Sequence, residues 1–84
     1  MPDADAVIRF INGPECNIQA ALTPQSSLIK SGLLDSLALF NLALWVEAEI
    51  GAPIDLATIE LAECWDTAAA IAVFIAAERR RAKS

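Results

Sequence analysis

Residues 35–51 read DSLALFNLALWVEAEIG, and this stretch decides the fold. Apolar residues recur in it with the spacing of an α-helix, which turns by about 100° per residue. One face carries the stripe expected of a helix that packs on a core: Leu39, Leu42, Ala43, Val46 and Ile50. Gly51 can adopt the left-handed conformation that ends a helix, and Pro53 prevents continuation. The stretch therefore predicts a helix from about Ser36 to Ile50.

A second apolar face is expected on the opposite side of this helix. Leu37, Phe40 and Leu44 lie about 160° from the middle of the core stripe, where a surface helix is normally polar. Helix capping by Asp35 or Ser36 would explain the helix start, but not these three apolar side chains. Packing against the preceding loop or self-association would account for such a face, and a further explanation comes from the family resemblance described below.

The chain before this helix should form one short helix and a long loop. The first helix is expected to begin near Asp3 or Asp5 and to end before Gly13-Pro14. Its apolar face is supplied by Val7, Ile8 and Ile11. Residues 13–35 then form a loop that four apolar residues should hold to the core: Ile18, Leu22, Leu28 and Ile29. Because these are regularly placed, the loop is expected to be ordered.

Two further helices are expected after Gly51. A short third helix should cover about residues 57–61, and the last helix should begin after Asp66-Thr67, either of which can cap it, and run to about Arg80. Its inward side should carry Ala68, Ile71, Phe74 and Ile75. Trp65, just before it, should fill the centre of the bundle. No stretch shows the alternation of a β-strand.

Length and composition fit one small domain. The chain has 84 residues, of which 56% are hydrophobic, and this is the size of a single core. We therefore predict one all-α four-helix bundle over residues 1–84, with three main helices and one short helix. The uninterrupted apolar run of residues 68–77 is shorter than a membrane span needs, so no stable membrane insertion is expected.

The charge distribution favours protein partners over nucleic acid. The net charge is −5, and all eleven acidic residues precede the basic C-terminus. An acidic body repels phosphates and attracts basic protein surfaces. The terminal cations, which complement the dipole of the last helix, lie in a segment expected to fray, residues 79–84. We expect a monomer.

The cysteines and the N-terminus indicate a reducing compartment. Cys16 and Cys64 form no CxxC pair, and the chain has no histidine to complete a metal site. Both cysteines are expected to be small core residues with free thiols. The N-terminus lacks the basic and apolar regions of a signal peptide. These features predict a cytoplasmic protein.

The composition argues against an enzyme. A nucleophilic serine needs a base, usually histidine, and Lys30 is the only lysine outside the C-terminal segment. Carboxylate pairs such as Glu60 and Glu63 are more typical of a solvated helix face. No catalytic residue is therefore assigned, and Ser36 remains as a hydroxyl that another enzyme could modify.

The chain resembles a known protein family. The run LIKSGLLDSL, residues 28–37, is similar to the arm-attachment region of acyl carrier proteins and of their peptidyl and D-alanyl relatives. The resemblance covers nearly the whole chain: a first helix, a long loop, Asp-Ser-Leu at the start of the second helix, a glycine at its end, and Trp65-Asp66-Thr67 before the last helix.

The resemblance implies a covalent cofactor. In this family a phosphopantetheinyl transferase moves 4′-phosphopantetheine from coenzyme A onto the hydroxyl that matches Ser36, and cargo then rides on the arm as a thioester. The aspartate that matches Asp35 helps to hold Mg²⁺ and the reacting groups in the transferase complex. Leu37, Phe40 and Leu44, with Asn41 beside them, match the docking face.

The sequence departs from the pattern of fatty-acid biosynthesis, in which the second helix is strongly acidic just after the serine. In this chain the only acidic residues of the second helix after Ser36 are Glu47 and Glu49. This favours a specialised stand-alone carrier that serves a dedicated loading ligase and an acyltransferase or synthase. Trp65 and Trp45 would narrow the gap that shelters long acyl chains in such carriers, which favours short or aminoacyl cargo. The alternatives are an aminoacyl or peptidyl carrier loaded by an adenylating ligase and, from another class, an unmodified helical interaction module.

Overall fold

A computed structural model describes residues 3–14 and 16–83 of the chain. Its elements, in chain order, are α1 (Ala4–Ile11), α2 (Ser36–Ile50), a 3₁₀ turn (Leu56–Thr58), α3 (Leu61–Cys64) and α4 (Ala68–Lys83). The described residues contain no β-strand. The prediction of an all-α bundle with three main helices and one short helix is confirmed.

The core lies where α1 and α2 pack against α4, which contacts both. Its buried apolar residues come from all three main helices and the loops between them: Val7, Ile11, Leu28, Leu34, Ala38, Leu42, Ala43, Val46, Ile50, Trp65, Ala68, Ile71 and Ile75. Burial of each large side chain stabilises the fold by about 1.5–3 kcal/mol. Leu39, Ile8 and Phe74 are only half-buried at the edge of this cluster.

Trp65 occupies the centre of the bundle, as predicted, and none of its surface is exposed. The Phe74 ring meets it edge-on, with ring centroids 5.5 Å apart. The buried Trp65 indole N–H makes no hydrogen bond within the described residues. Packing alone therefore holds this side chain.

The predicted end of α2 is confirmed. Gly51 has φ +80°, and its backbone N–H donates to the Glu47 carbonyl at 2.8 Å. A residue with a Cβ is strained at this φ, which is why glycine suits the position. The Glu47 carboxylate also accepts a hydrogen bond from the Ile54 N–H at 2.8 Å, so the chain folds back over the end of α2.

The prediction of one helix at residues 57–61 is wrong. The Asp55 carboxylate accepts a hydrogen bond from the Ala57 N–H at 3.0 Å and begins a 3₁₀ turn. That turn stops at Ile59, whose backbone is extended, and α3 starts only at Leu61. The Thr58 N–H and the Thr58 hydroxyl both donate to the Asp55 carbonyl, at 3.1 Å and 2.8 Å, which closes a short turn, and the extended backbone at Ile59 interrupts the helix.

The last helix extends further than predicted. It continues to Lys83 rather than ending near Arg80, so residues 79–83 are helical and not a frayed tail. An ion pair in this region joins Arg81 to Glu78 at 3.0 Å. Ser84, the end of the predicted tail, lies outside the described residues. Within residues 3–14 and 16–83, no helix combines the length and apolar character that a membrane crossing requires.

The two cysteines differ from expectation. Cys16 is half-buried against the core, and its thiol donates to the Ala38 carbonyl oxygen at 3.5 Å. Cys64 is exposed at the end of α3, so the prediction that it is a core residue is wrong. One-turn α3 has no buried residue, and for that reason its last side chain faces solvent.

Candidate functional site

Ser36 is the first residue of α2, and its side chain is exposed. The helix cap is provided by the residue before it: Asp35 Oδ1 accepts a hydrogen bond from the Ala38 N–H at 2.7 Å, and its backbone carbonyl accepts one from the Leu39 N–H at 2.9 Å. The Ser36 hydroxyl makes no hydrogen bond within the described residues. Because Asp35 caps the helix, the serine is left chemically available.

The start of α2 suits an anion. The first backbone N–H groups of a helix have no partner within it, and the helix dipole adds positive potential there. Those of Ser36 and Leu37 make no hydrogen bond in the described part of the chain. The first turn of α2 itself holds no acidic residue. A phosphodiester joined to Ser36 Oγ would therefore lie beside unpaired donors.

An apolar face extends along α2 from this point, and we call Leu37, Phe40 and Leu44 the outer face. Their side chains are 68%, 55% and 49% exposed, so the predicted second apolar face is confirmed. Spacings of three and four residues place them on one side of the helix. Asn41, predicted to lie beside them, is half-buried.

Trp45 is not part of the outer face. Its ring stacks on Phe10 of α1, with centroids 5.1 Å apart and an interplanar angle of 17°. The stacked pair packs the middle of α2 against α1 and stabilises that contact. Trp45 therefore serves the packing of the bundle.

The loop that leads into the site, residues 27–34, closes on itself, and we call it the attachment loop. The Leu34 N–H donates to the Leu28 carbonyl at 3.2 Å, and both side chains are buried. Within the loop, the Gly32 N–H donates to the Ile29 carbonyl at 3.0 Å. Gly32 has φ +76°, a conformation that favours glycine.

Asp66, which lies just before α4, holds the attachment loop through its side chain. Its Oδ1 accepts three hydrogen bonds, from Ser27 Oγ at 2.8 Å, the Ile29 N–H at 3.0 Å and the Lys30 N–H at 2.8 Å. The Lys30 N–H is the largest influence that lowers the pKa of this carboxyl below its usual 3.8; desolvation opposes it, and the Ser27 and Ile29 donors add to it. The carboxylate is thus held in its charged form.

Thr67, not Asp66, caps α4. Its Oγ1 accepts a hydrogen bond from the Ala70 N–H at 3.0 Å. The sequence left both residues open as caps and gave no sign of the link between Asp66 and the attachment loop. That link joins residues 36 to 39 positions apart, and local patterns carry no information about such a contact.

Other candidate sites are less developed. An apolar groove of about 350 Å³ lies between α3 and α4, lined by Glu63, Cys64, Ala70, Val73 and Phe74. The described residues contain no group of three or more acidic or cysteine side chains placed to hold a metal ion. The start of α2 therefore offers the most complete chemical arrangement.

The chain matches no protein-family model, no curated protein and no solved structure.

Proposed function

We propose that this protein is a stand-alone acyl carrier protein that holds a 4′-phosphopantetheine arm on Ser36 and carries cargo on it as a thioester. One observation carries the proposal. The Ser36 hydroxyl is exposed and unbonded at the start of a 15-residue helix, while Asp35 caps that helix in its place. A serine that served only as a cap would have its oxygen on a backbone N–H.

The proposed loading step forms one bond and breaks one. Ser36 Oγ attacks the phosphorus of coenzyme A that carries the pantetheine, the bond to the second phosphate breaks, and adenosine 3′,5′-bisphosphate leaves. The hydroxyl proton passes to a base of the transferase, because this chain has no histidine. When bound, the arm supplies a terminal thiol for thioester chemistry.

Asp35 has a second role in this proposal. Its Oδ1 is taken by the Ala38 N–H, whereas Oδ2 makes no hydrogen bond within the described residues. This free oxygen is available to Mg²⁺ in the complex with the transferase, since carboxylate oxygens are the ligands that Mg²⁺ prefers. The cap also fixes the carboxylate next to Ser36.

The outer face supports brief docking of partner enzymes. A carrier must bind a transferase, a loading ligase and an acyltransferase or synthase in turn and then leave each. Three exposed apolar side chains give a small contact area, and the acidic body accelerates encounter with basic surfaces. Asn41, which follows Phe40 in the sequence and is half-buried, is the fourth proposed docking residue.

Short or aminoacyl cargo is the more specific part of the proposal. Trp65 fills the centre of the bundle, and only Glu47 and Glu49 make α2 acidic beyond its cap. Both observations favour a specialised carrier over one for general fatty-acid synthesis, and they keep an aminoacyl or peptidyl carrier as the second candidate. Neither Cys16 nor Cys64 is part of a disulfide, which favours a reducing compartment such as the cytoplasm as the site of action.

Mass spectrometry tests the proposal directly. The protein is incubated with coenzyme A, Mg²⁺ and a broad-specificity phosphopantetheinyl transferase, beside the variants Ser36→Ala and Ser31→Ala. Ser31 is another exposed serine near the site, but its hydroxyl donates to the Ser27 carbonyl at 2.7 Å and accepts from the Leu33 N–H at 3.2 Å. Its variant therefore controls for the position of the modification at the end point of the reaction, and not for its rate. Wild type and Ser31→Ala should gain the mass of one arm. No gain in wild type, or an equal gain in Ser36→Ala, rejects the carrier in favour of an unmodified interaction module.

The docking face has its own test. Phe40→Ala should raise the KM of the transferase for the carrier several-fold, because the variant removes an exposed ring beside Ser36. Val73→Ala is the control, since Val73 is an apolar residue on α4 that is even more exposed than Phe40, at 69% against 55%. If the two variants have the same KM, the proposal that the outer face docks the transferase is rejected.

A further inference from the structure

The side chain of Asp66 makes a set of contacts that the proposed function leaves unexplained. We propose that Asp66 is a positioning residue for the loading of Ser36: it fixes the attachment loop against the start of α4 and so presents Ser36 to the transferase in one geometry. This inference rests on the proposed function and adds a residue from the far end of the sequence to that site.

The contacts of Asp66 are concentrated on one oxygen. Oδ1 accepts from two consecutive backbone N–H groups, Ile29 and Lys30, and from the Ser27 hydroxyl, all within 3.0 Å. Hydrogen bonds to an ionised acceptor are stronger than those between neutral groups. Removal of this oxygen would leave three donors of the loop without their partner.

Two backbone hydrogen bonds reinforce the same junction. The Leu28 N–H donates to the Asp66 carbonyl at 2.6 Å, and the Ala69 N–H donates to the Pro24 carbonyl at 3.1 Å. The loop is thus joined to the start of α4 by both the backbone and the side chain of Asp66. The backbone hydrogen bonds keep the loop next to the start of α4. The Asp66 side chain then determines the backbone conformation of residues 27–34 within that contact.

The attachment loop transmits this constraint to Ser36. Its two ends meet through the Leu34 N–H and the Leu28 carbonyl, and Leu34 is buried. Asp35 follows immediately and caps α2. A shift of the loop therefore moves Leu34. Because Asp35 and Ser36 follow it directly in the chain, they move with it.

The expected kinetic effect is on recognition. If the loop samples several arrangements and the transferase binds one of them, its apparent affinity falls by the fraction of molecules in that arrangement. Once bound, Ser36 reacts in the same geometry. Asp66→Ala should therefore raise the KM for the carrier by about tenfold and leave kcat within about twofold.

The test compares four proteins in the loading reaction with coenzyme A, Mg²⁺ and the transferase: wild type, Asp66→Ala, Asp66→Asn and Gly51→Ala. Asp66→Asn keeps an oxygen at the same place and should restore KM to within about threefold of wild type. Gly51→Ala strains the end of α2 remote in sequence from the loop and lowers stability; its KM should equal that of wild type.

Amide hydrogen exchange supplies a readout that does not depend on loading. Exchange at Ile29 and Lys30 should be at least about tenfold faster in Asp66→Ala than in wild type, with α1 amides changing much less. Ser27→Ala, which removes one donor, should give an intermediate rate and an intermediate KM. This milder variant decides the question if Asp66→Ala does not fold.

The outcomes separate the two proposals. If wild type is loaded on Ser36 but Asp66→Ala and Ser27→Ala keep its KM, the positioning role is overturned and the carrier function stands. The positioning role is equally overturned if Gly51→Ala raises KM as much as Asp66→Ala. If wild type is not loaded, the carrier function is rejected and the positioning role with it, whatever the exchange rates show.

Discussion

The two longest helices begin with similar tripeptides, Asp35-Ser36-Leu37 at α2 and Asp66-Thr67-Ala68 at α4, yet the residues act differently in each. At α2 the aspartate is the cap, and the serine hydroxyl is unbonded. At α4 the threonine is the cap, with its Oγ1 on the Ala70 N–H. The aspartate there bonds to the attachment loop.

The difference arises because the two helices start at different positions relative to the aspartate. In α2 the aspartate is the cap, whereas α4 starts one residue later and the threonine is the cap. A residue at the cap position spends its side-chain oxygen on the third N–H of the helix. When aspartate holds that position, the hydroxyl residue enters the helix and stays available for modification. When threonine holds it, the carboxylate lies outside the helix and can bind a neighbouring segment. Similar residues thus make an attachment point in one place and a tie between segments in the other.

The largest expected effect concerns modification. Ser36→Ala should abolish the mass gain in the transferase reaction, and Thr67→Ala should leave at least most of it, because the Thr67 hydroxyl is already used in capping. Intact-protein mass spectrometry on both variants measures this. A gain that survives in Ser36→Ala and disappears in Thr67→Ala would reverse the roles assigned to the two hydroxyls.

The next effect concerns the apolar residue that precedes each aspartate. Trp65 is fully buried and Leu34 nearly so. Trp65→Ala should lower the free energy of unfolding by about 3–5 kcal/mol, and Leu34→Ala by about 2–3 kcal/mol, since the smaller side chain leaves the smaller cavity. Urea denaturation followed by circular dichroism gives both values.

Trp65→Phe is the matched control for the first of these variants. It keeps an aromatic ring near Phe74 and removes the unpaired indole N–H, so it should be clearly less destabilising than alanine. A cost as large as that of Trp65→Ala would mean that the exact shape of the indole matters more than the volume it fills.

A smaller effect separates the two hydroxyl residues by stability. Thr67→Ala removes a cap and should lower the free energy of unfolding by about 1 kcal/mol. Ser36→Ala removes an exposed, unbonded hydroxyl and should change it by less than about 0.5 kcal/mol. Thermal or urea denaturation distinguishes the two. Equal losses would show that Ser36 contributes to the helix start.

The smallest effect is a dependence on pH. The pKa of Asp66 lies below its ordinary 3.8 in the folded protein, so its contribution to stability is fully present above the unfolded pKa. It is lost as the pH falls through the lower folded pKa. Below about pH 4 the free energy of unfolding of wild type should therefore fall more steeply than that of Asp66→Asn. Parallel curves from urea denaturation between about pH 2.5 and about pH 7 would contradict this.

Local patterns predicted much of α2 and its surroundings. Its glycine end and its two apolar faces each follow from residues within one or two turns of one another, so Gly51 and the outer face could be read from the sequence. The choice between Asp35 and Ser36 as its cap was left open and is made by the structure. The burial of Trp65 followed from its place before an apolar helix. The exposure of Ser36 also agrees with its predicted role as an available hydroxyl.

Features that depend on distant contacts were missed. Cys64 is apolar enough for a core, but α3 is too short to bury a face. The split between the 3₁₀ turn and α3 occurs at Ile59, whose backbone is extended and whose side chain packs against the core, a contact that local patterns do not show. The hydrogen bonds of Asp66 require the loop and the start of α4 to be adjacent already, which a single sequence does not reveal.

The separation of Ile29 and Asp66 by 37 positions also has a consequence for biosynthesis. A nascent chain that has not yet been extended past Asp66 lacks the acceptor for the Ile29 and Lys30 N–H groups. Contacts between such distant positions form only after the intervening chain is present and its ends have met. The attachment loop can therefore take its final shape only after residue 66 has been synthesised and has met the loop.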